Sequence, residues 1–442
     1  MSMAWKVVEI EEVCNEIVDC LNRTAPKVDY VTPFKMIRTS NVRHGRIDLD
    51  NVFYVDEPTY KKWTRRLVPK KGDIILTREA PLGEVGLLKT NELVFLGQRT
   101  VLYRSNEMVC DGRFLYYSLI SPFSQASIKA FGSGSTVEHM KVPDSKKIKL
   151  KLPPLPTQRK IAAILSAYDD LIENNLRRIK LLEEKAKLTY EEWFVRMKFP
   201  GYESTPINEE TGLPEGWERI ELINICSFIG RGISPKYVEN DGISVINQKC
   251  IRNNRIDTEL CRFTCNSKKI SPDKLVKPFD ILVNSTGTGT LGRVAQMISP
   301  KNKITVDSHV TIVRAKEKIS NIFLGRLLEL NQPLIEKMGK GSTNQIELSK
   351  IDLGNLQITL PSKHLQEKFE KDFKPNFLII EDLLAQNQLL KEARDILLPR
   401  LMTGMIDVDA LDLSAFGLEE REEMMVAAEP EARYSTKIPK MN

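Results

Sequence analysis

Residues Ala4–Cys14 (AWKVVEIEEVC) come back as Gly216–Cys226 (GWERIELINIC), 212 positions further on. Other stretches return in the same order: Val42–Asp48 as Ile251–Asp257, Gly72–Leu76 as Phe279–Val283, Phe114–Leu115 as Phe323–Leu324, Gly132–Thr136 as Gly339–Thr343, and Leu152–Pro153 as Leu360–Pro361. Gln158 corresponds to Gln366, and every offset lies between 207 and 212. A near-constant offset over the whole length means two copies of one unit, and 442 residues are enough for each copy to bury its own core.

Each copy opens with short β-type runs broken by Gly, Pro and Asn, such as Val7–Ile10, Ile74–Thr77, Thr100–Tyr103 and Lys147–Lys151 in the first. Near its end lies one apolar segment of helical length, Phe114–Ile120 or Ile322–Leu330. This pattern predicts a compact mixed α/β domain. The Pro-rich Leu152–Pro156 then gives way to a long helix, with Thr157 as its N-cap.

In that helix apolar residues recur at alternating spacings of three and four: Ile161, Leu165, Tyr168, Ile172, Asn175, Ile179, Leu182, Ala186, Thr189 and Trp193. The second copy offers Phe369, Phe373, Asn376, Ile380, Leu383, Asn387, Leu390, Arg394 and Leu397. Such a stripe predicts a coiled-coil seam, in which Asn175 and Asn387 set the register. Pro375 removes a backbone donor, so the second helix is kinked there or starts late. The expected fold class is α+β, with similar mixed α/β domains at 1–152 and 199–360. A long antiparallel two-helix coiled coil from 153–198 and 361–412 joins and spaces them about a pseudo-twofold axis, and 413–442 form a flexible tail.

No stretch approaches the roughly 18 apolar residues of a membrane span, and the N-terminus lacks a signal-peptide pattern. A cytoplasmic protein without membrane contact is expected. The cysteines are odd in number and irregularly spaced, which fits reduced thiols. Only Cys261-x3-Cys265 resembles a metal motif, and the four scattered histidines supply it no paired ligands, so no metal site is expected. Residues 1–152 carry 24 basic against 18 acidic residues and 199–360 carry 21 against 18, whereas 361–442 reverse to 11 against 16. Both domains are thus mildly positive, and the pairs Lys61-Lys62, Arg65-Arg66, Lys70-Lys71 and Lys268-Lys269 suit phosphates as well as solvent.

One stretch argues for a bound nucleotide or methyl donor: Gly287-x-Gly289-x-x-Gly292 follows the strand-like Asp280–Val283, and Asp307 sits about 20 positions beyond the motif's start. Yet Arg293–Ile298 is only strand length before the Ser299-Pro300 turn, and the first copy lacks the glycine pattern at 77–86. The motif is therefore read as a polar loop between strands. Gly339–Thr343 lacks P-loop spacing, and neither a nucleophile elbow nor a helical histidine pair is present. The residues thus point to a binding protein and not to an enzyme.

Several motifs sharpen that expectation: Gly212-Leu-Pro-Glu-Gly-Trp-Glu218 opens the second copy, Leu152-Pro-Pro-Leu-Pro-Thr-Gln158 and Ile161-Ala-Ala-Ile-Leu165 follow the first domain, Leu181-Leu-Glu-Glu-Lys185 lies in the first helix, and Leu398-Pro-Arg-Leu-Met-Thr-Gly404 closes the second. With the two-copy plan, they make residues 1 to 412 resemble the specificity subunit of a type I restriction-modification system. The resemblance implies two target-recognition domains, each reading half of an asymmetric bipartite site in double-stranded DNA. It also implies a coiled coil that sets the spacer and docks two methyltransferase subunits, with restriction and translocase subunits as further partners. This chain would bind no cofactor itself, and S-adenosylmethionine, ATP and Mg would belong to the partner chains.

Discrimination between bases needs Arg, Asn or Gln on base edges, whereas affinity comes from contacts to phosphates. Polar loops in repeat-equivalent positions supply the candidates. In the first domain these are Arg43, His44, Arg46, Arg78, Ser133, Ser135, Thr136 and His139; in the second, Gln248, Lys249, Arg252, Asn253, Arg255, Thr286, Thr288, Thr290, Ser342, Thr343 and Asn344. The two sets differ in composition, so the two half-sites are expected to differ.

Overall fold

The computed structural model of the chain describes residues 5–21, 23–134, 138–267, 269–341 and 346–411. It divides into two compact units, Met1–Glu173 with Gln388–Asn442, and Asn174–Asn387. The expected tail at 413–442 lies outside the described residues.

In the first unit a four-stranded sheet runs in the order Cys14–Asp19, Thr100–Ser105, Ile74–Arg78, Leu82–Leu87. The second unit repeats it as Cys226–Arg231, Val310–Ala315, Ile281–Asn284, Val294–Gln296. Each sheet is accompanied by an antiparallel pair that ties the start of the copy to its end, Lys6–Glu9 with Lys149–Leu152 and Glu218–Glu221 with Gln357–Leu360. A further sheet contains one parallel pairing, Lys35–Ile37 with Val94–Leu96 or Ile243–Ile246 with Ile304–Val306. A short ribbon follows in each copy, Val42–Arg43 with Arg46–Ile47 or Ile251–Arg252 with Arg255–Ile256.

Buried polar groups repeat as faithfully as strands do. Arg104 grips Asp73 with two bonds of 2.7 Å, and Arg314 grips Asp280 in the same way, with both carboxylates 1% exposed. The Gln158 amide donates to the Pro153 carbonyl and accepts from the Asp111 amide, while Gln366 does the same with Pro361 and Ser320. Asp111 and Ser320 are the N-caps of equivalent helices, Gly112–Ile120 and Asn321–Leu330. The two glutamines thus brace the helix that covers each sheet. Among the described residues only the first unit carries a seven-residue helix, α1 (Glu57–Trp63), capped by Asp56.

Two long helices follow the domains, α2 (Leu155–Tyr190) and α3 (Lys363–Met402). Thr157 is not the N-cap, because α2 begins two residues earlier; its hydroxyl lies inside the first turn and donates to Asp409 at 2.9 Å. α3 does not start late: it runs through Pro375 as one helix, and that ring and Lys371, whose carbonyl loses its partner, both face solvent. Within the first unit Ile161 and Leu165 share an apolar cluster with Leu398, Leu401 and Met402. Within the second, Tyr190 and Phe194 pack edge-to-face about Phe369 while Asn175 meets Asn387, so the helices run antiparallel there.

The predicted seam drifts by a residue. Leu165, Ile172, Asn175, Ile179, Phe373, Ile380, Leu383 and Asn387 are buried as expected, but Tyr168, Leu182, Asn376 and Leu390 are only half-buried. Tyr190 replaces Thr189 in the core, and Phe377 and Leu398 replace Asn376 and Leu397. No described helix is long and apolar enough to cross a membrane.

Asn175 Nδ2 donates to Asn387 Oδ1 at 3.0 Å, which leaves Asn387 Nδ2 buried without a partner. A polar pair of this kind lowers stability while selecting one alignment. Replacing both by leucine is therefore expected to raise the melting temperature, whereas Asn387→Leu alone orphans the Asn175 amide and costs about 1–3 kcal/mol. Thermal melts of the three proteins check the order; a double variant that melts below wild type sinks the account.

Candidate nucleic-acid interface

The same end of each four-stranded sheet carries one wiring scheme. In the first unit the Arg78 amide donates to the Arg99 carbonyl at 2.7 Å and the Met140 amide to the Arg78 carbonyl at 2.9 Å. In the second the Ser285 amide donates to the His309 carbonyl and the Leu348 amide to the Ser285 carbonyl, both at 2.8 Å. Three loops are thereby brought together in each copy: the turn after the third strand, the residue before the central strand, and a hairpin closed by Ser133 with His139 or by Lys340 with Glu347. The ribbons lie alongside, where the His44 amide donates to Glu84 and Asn254 Nδ2 to the Val294 carbonyl.

The glycine-rich stretch is a loop between antiparallel strands, Ile281–Asn284 and Val294–Gln296, with no helix behind it. Gly287, Gly289 and Gly292 all have positive φ, and a Cβ on Gly292 would stand 2.6 Å from Glu336 Cα. These glycines serve turn geometry and close packing, and the helix N-terminus that cradles a pyrophosphate is missing at this loop. Asp307 receives the His309 amide at 2.8 Å; burial raises its pKa, against the opposing pull of that bond. Cys261 faces Cys250 instead of Cys265, whose sulfur lies 3.0 Å from Ser267 Oγ. Among the described residues no three ligand-type side chains converge as a metal site.

The second copy draws several predicted residues into one cluster. Thr286 Oγ1 lies 2.7 Å from His309 Nδ1 and 3.4 Å from Gln248 Oε1, and Asn284 Nδ2 donates to the Gln248 carbonyl. Lys249, Arg252, Asn253 and Thr288 stand exposed around it, as His44, Arg46, Ser133 and His139 do in the first copy. Thr290 turns back onto the Thr286 and Gly287 carbonyls.

Three arginines expected to face a ligand have structural partners. Arg43 folds onto the Thr39 and Val42 carbonyls, and Arg78 Nη1 donates to the Met140 carbonyl at 2.8 Å. Arg255 makes a bidentate pair with Glu183 of α2. Ser135, Thr136, Ser342, Thr343 and Asn344 lie outside the described residues. The structure also adds Arg99 and His309, equivalent positions at an offset of 210 that differ in identity and were missed for that reason. Arg293, which ties the loop through the Gly289 and Ile251 carbonyls, is a further addition.

The family described as "Type I restriction modification DNA specificity domain" matches residues 3–184 and again residues 214–386, once per copy. The MjaIX type I restriction enzyme specificity subunit of Methanocaldococcus jannaschii is 28% identical over 372 residues, covering 81% of this chain and 82% of that protein. A second protein of that organism, the putative MjaX specificity subunit, is 26% identical over 91% of this chain and 94% of its own length. The crystal structure of a type I restriction-modification S subunit from M. genitalium has the same fold, with a TM-score of 0.57 at 17% identity over 90% of this chain and 96% of that one. With both copies matched over most of its length, the chain belongs to the type I restriction modification DNA specificity family, that of the specificity subunits of type I restriction enzymes.

Proposed function

We propose that each copy reads one half of an asymmetric bipartite site in double-stranded DNA. As a specificity subunit the chain is a recognition component and not a catalyst. The observation that carries the proposal is one backbone scheme presenting different side chains: Arg99 against His309, Arg78 against Ser285, and His44-Gly45 against Asn253-Asn254. A shared scaffold fits a shared task, and unlike readers fit unlike half-sites. The proposed readers are His44, Arg46, Arg99, Ser133, Ser135, Thr136 and His139 in the first domain. In the second they are Gln248, Lys249, Arg252, Asn253, Thr286, Thr288, His309, Ser342, Thr343 and Asn344.

In this reading α2 and α3 form an antiparallel coiled coil about a pseudo-twofold axis and set the spacer between half-sites. A helix of this length spans about 55–60 Å at 1.5 Å per residue, against the roughly 34–36 Å between half-sites one DNA turn apart. The outer helix faces support docking of two like partners: Leu181 and Leu188 in the second unit, and their equivalents Leu389 and Ile396 in the first, are all more than half exposed at heptad spacing. Exposed apolar stripes of this kind suit a protein interface. Two cytoplasmic methyltransferase subunits are the proposed occupants, holding S-adenosylmethionine, while ATP and Mg belong to a restriction and translocase subunit. Mapping modified bases in cells that carry the complete system tests the proposal. Two short unlike motifs at a fixed spacing are expected, and a continuous or palindromic motif refutes it.

A further inference from the structure

The segment from Lys61 to Arg66 places Lys61, Lys62, Arg65 and Arg66 on the surface with no acidic residue among them. At an offset of 207 the second copy's counterpart of Lys61-Lys62 is the pair Lys268-Lys269, and its counterpart of Arg65–Leu67 is the short turn Pro272–Lys274, where Lys274 donates to the Gly232 carbonyl at 2.7 Å. Helix polarity accounts for part of this charge, since Lys61 and Lys62 lie in the last turn of α1 and Lys61 pairs with Glu57. Arg65 lies beyond the helix and has no acidic partner among the described residues.

The position of the cluster follows from strand register. Arg66 Nη1 bonds Asp19 Oδ1 at 2.9 Å, Asp19 is paired with Val101, and the adjoining Thr100 is paired with Thr77. Thr77 and Thr100 border Arg78 and Arg99, so Arg66 sits at the reading end of the sheet. Tyr60 of α1 packs edge-on against Phe95, in the strand Val94–Leu96 that leads to Arg99. Lys70 and Lys71 belong to the opposite end, because the Lys70 amide is bound to Asp73 at the start of the third strand.

We infer that Lys61, Lys62 and Arg65 form a phosphate-contacting shelf that grips the DNA backbone beside the first half-site without reading bases. The inference rests on the DNA-reading proposal above. Neutralising a phosphate contact lowers the slope of log affinity against log salt by about 0.9.

The test uses the complex of the full chain with its methyltransferase subunits and a mixed-sequence 40-base-pair duplex as probe. For Lys61→Gln/Lys62→Gln/Arg65→Gln, affinity is expected to fall by about ten- to a hundredfold at 0.1 M salt, and the salt slope to shrink by about 2–3. Lys146→Gln/Lys147→Gln, exposed positions away from this end, controls for bulk charge. An unchanged slope in the triple variant, or an equal change in the control, overturns the shelf. So does a changed first half-site in mapped modification, since that assigns base reading to the cluster. If the wild-type complex modifies no defined site, the parent proposal fails, while the slope comparison still decides the shelf.

Discussion

Replacing Arg394 with methionine lowers the melting temperature of the first unit by about 6–20 °C. Arg394 Nη1 meets Asp169 Oδ1 at 2.6 Å, Tyr117 OH donates to Asp169 Oδ2 at 2.6 Å, and the two charged side chains are 17% and 12% exposed. Burial works to lower the Arg394 pKa, and the carboxylates of Asp169 and Asp395 together more than reverse it, leaving the guanidinium above its ordinary range. Burial likewise raises the Tyr117 hydroxyl, with the Asp169 charge adding to it, so the tyrosine remains a donor. Removing one member of a buried pair leaves an uncompensated charge and costs about 3–5 kcal/mol, and a domain of this size loses about 2–4 °C per kcal/mol. Removing both charges leaves the buried Tyr117 hydroxyl without its acceptor, so it is Asp169→Leu/Arg394→Met/Tyr117→Phe that recovers most of the loss. Differential scanning calorimetry distinguishes the variants, and a single variant melting within 2 °C of wild type, a limit set by about one kcal/mol, shows that solvent already screens the pair.

That network also shows where sequence reasoning runs out. Arg394 falls on the predicted seam only because a strict 3.5-residue repeat was extended through it. A straight helix has 3.6 residues per turn and drifts by about 20° per heptad, so the buried face moves to Phe377, Leu398 and Tyr190. The seam's centre at Asn175, Ile179, Ile380, Leu383 and Asn387 was legible because drift had not yet accumulated there. The sheets were legible for a different reason. Two copies under the same packing constraint keep the same apolar runs and the same Asp–Arg and Gln clamps, and the glycine-rich loop could be judged against a counterpart without glycines.

The proposed recognition loops were legible as loops and much less so as individual side chains. Arg255 finds Glu183 72 positions away and Arg78 finds Met140 62 positions away, distances over which composition carries no signal. A guanidinium has five donors and can satisfy a neighbouring carbonyl as readily as a base, so type and local setting do not assign its partner. Arg99 and His309 escaped for the converse reason: the register that equates them appears only once the strands beside them are paired.

Exchanging the entire first unit, residues 1–173 together with 388–442, for that of another specificity subunit yields a folded chimera whose modified site differs in one half only. Exchanging 1–152 alone is expected to change the same half but to melt lower. Gln158 accepts from the Asp111 amide, Thr157 donates to Asp409, and Ile161, Leu165, Leu398, Leu401 and Val408 lie in one apolar cluster with Phe114 and Tyr117. A foreign domain set against those helix segments misfits at several points, each costing about 1–3 kcal/mol. The first β domain and the helix segments packed against it are thus one compact unit, and a boundary drawn at Leu152 cuts through its core. Modification mapping and thermal melts of both chimeras check this. Equal melting temperatures would detach the helix segments from the unit, and an unaltered site in both would remove the first domain from recognition.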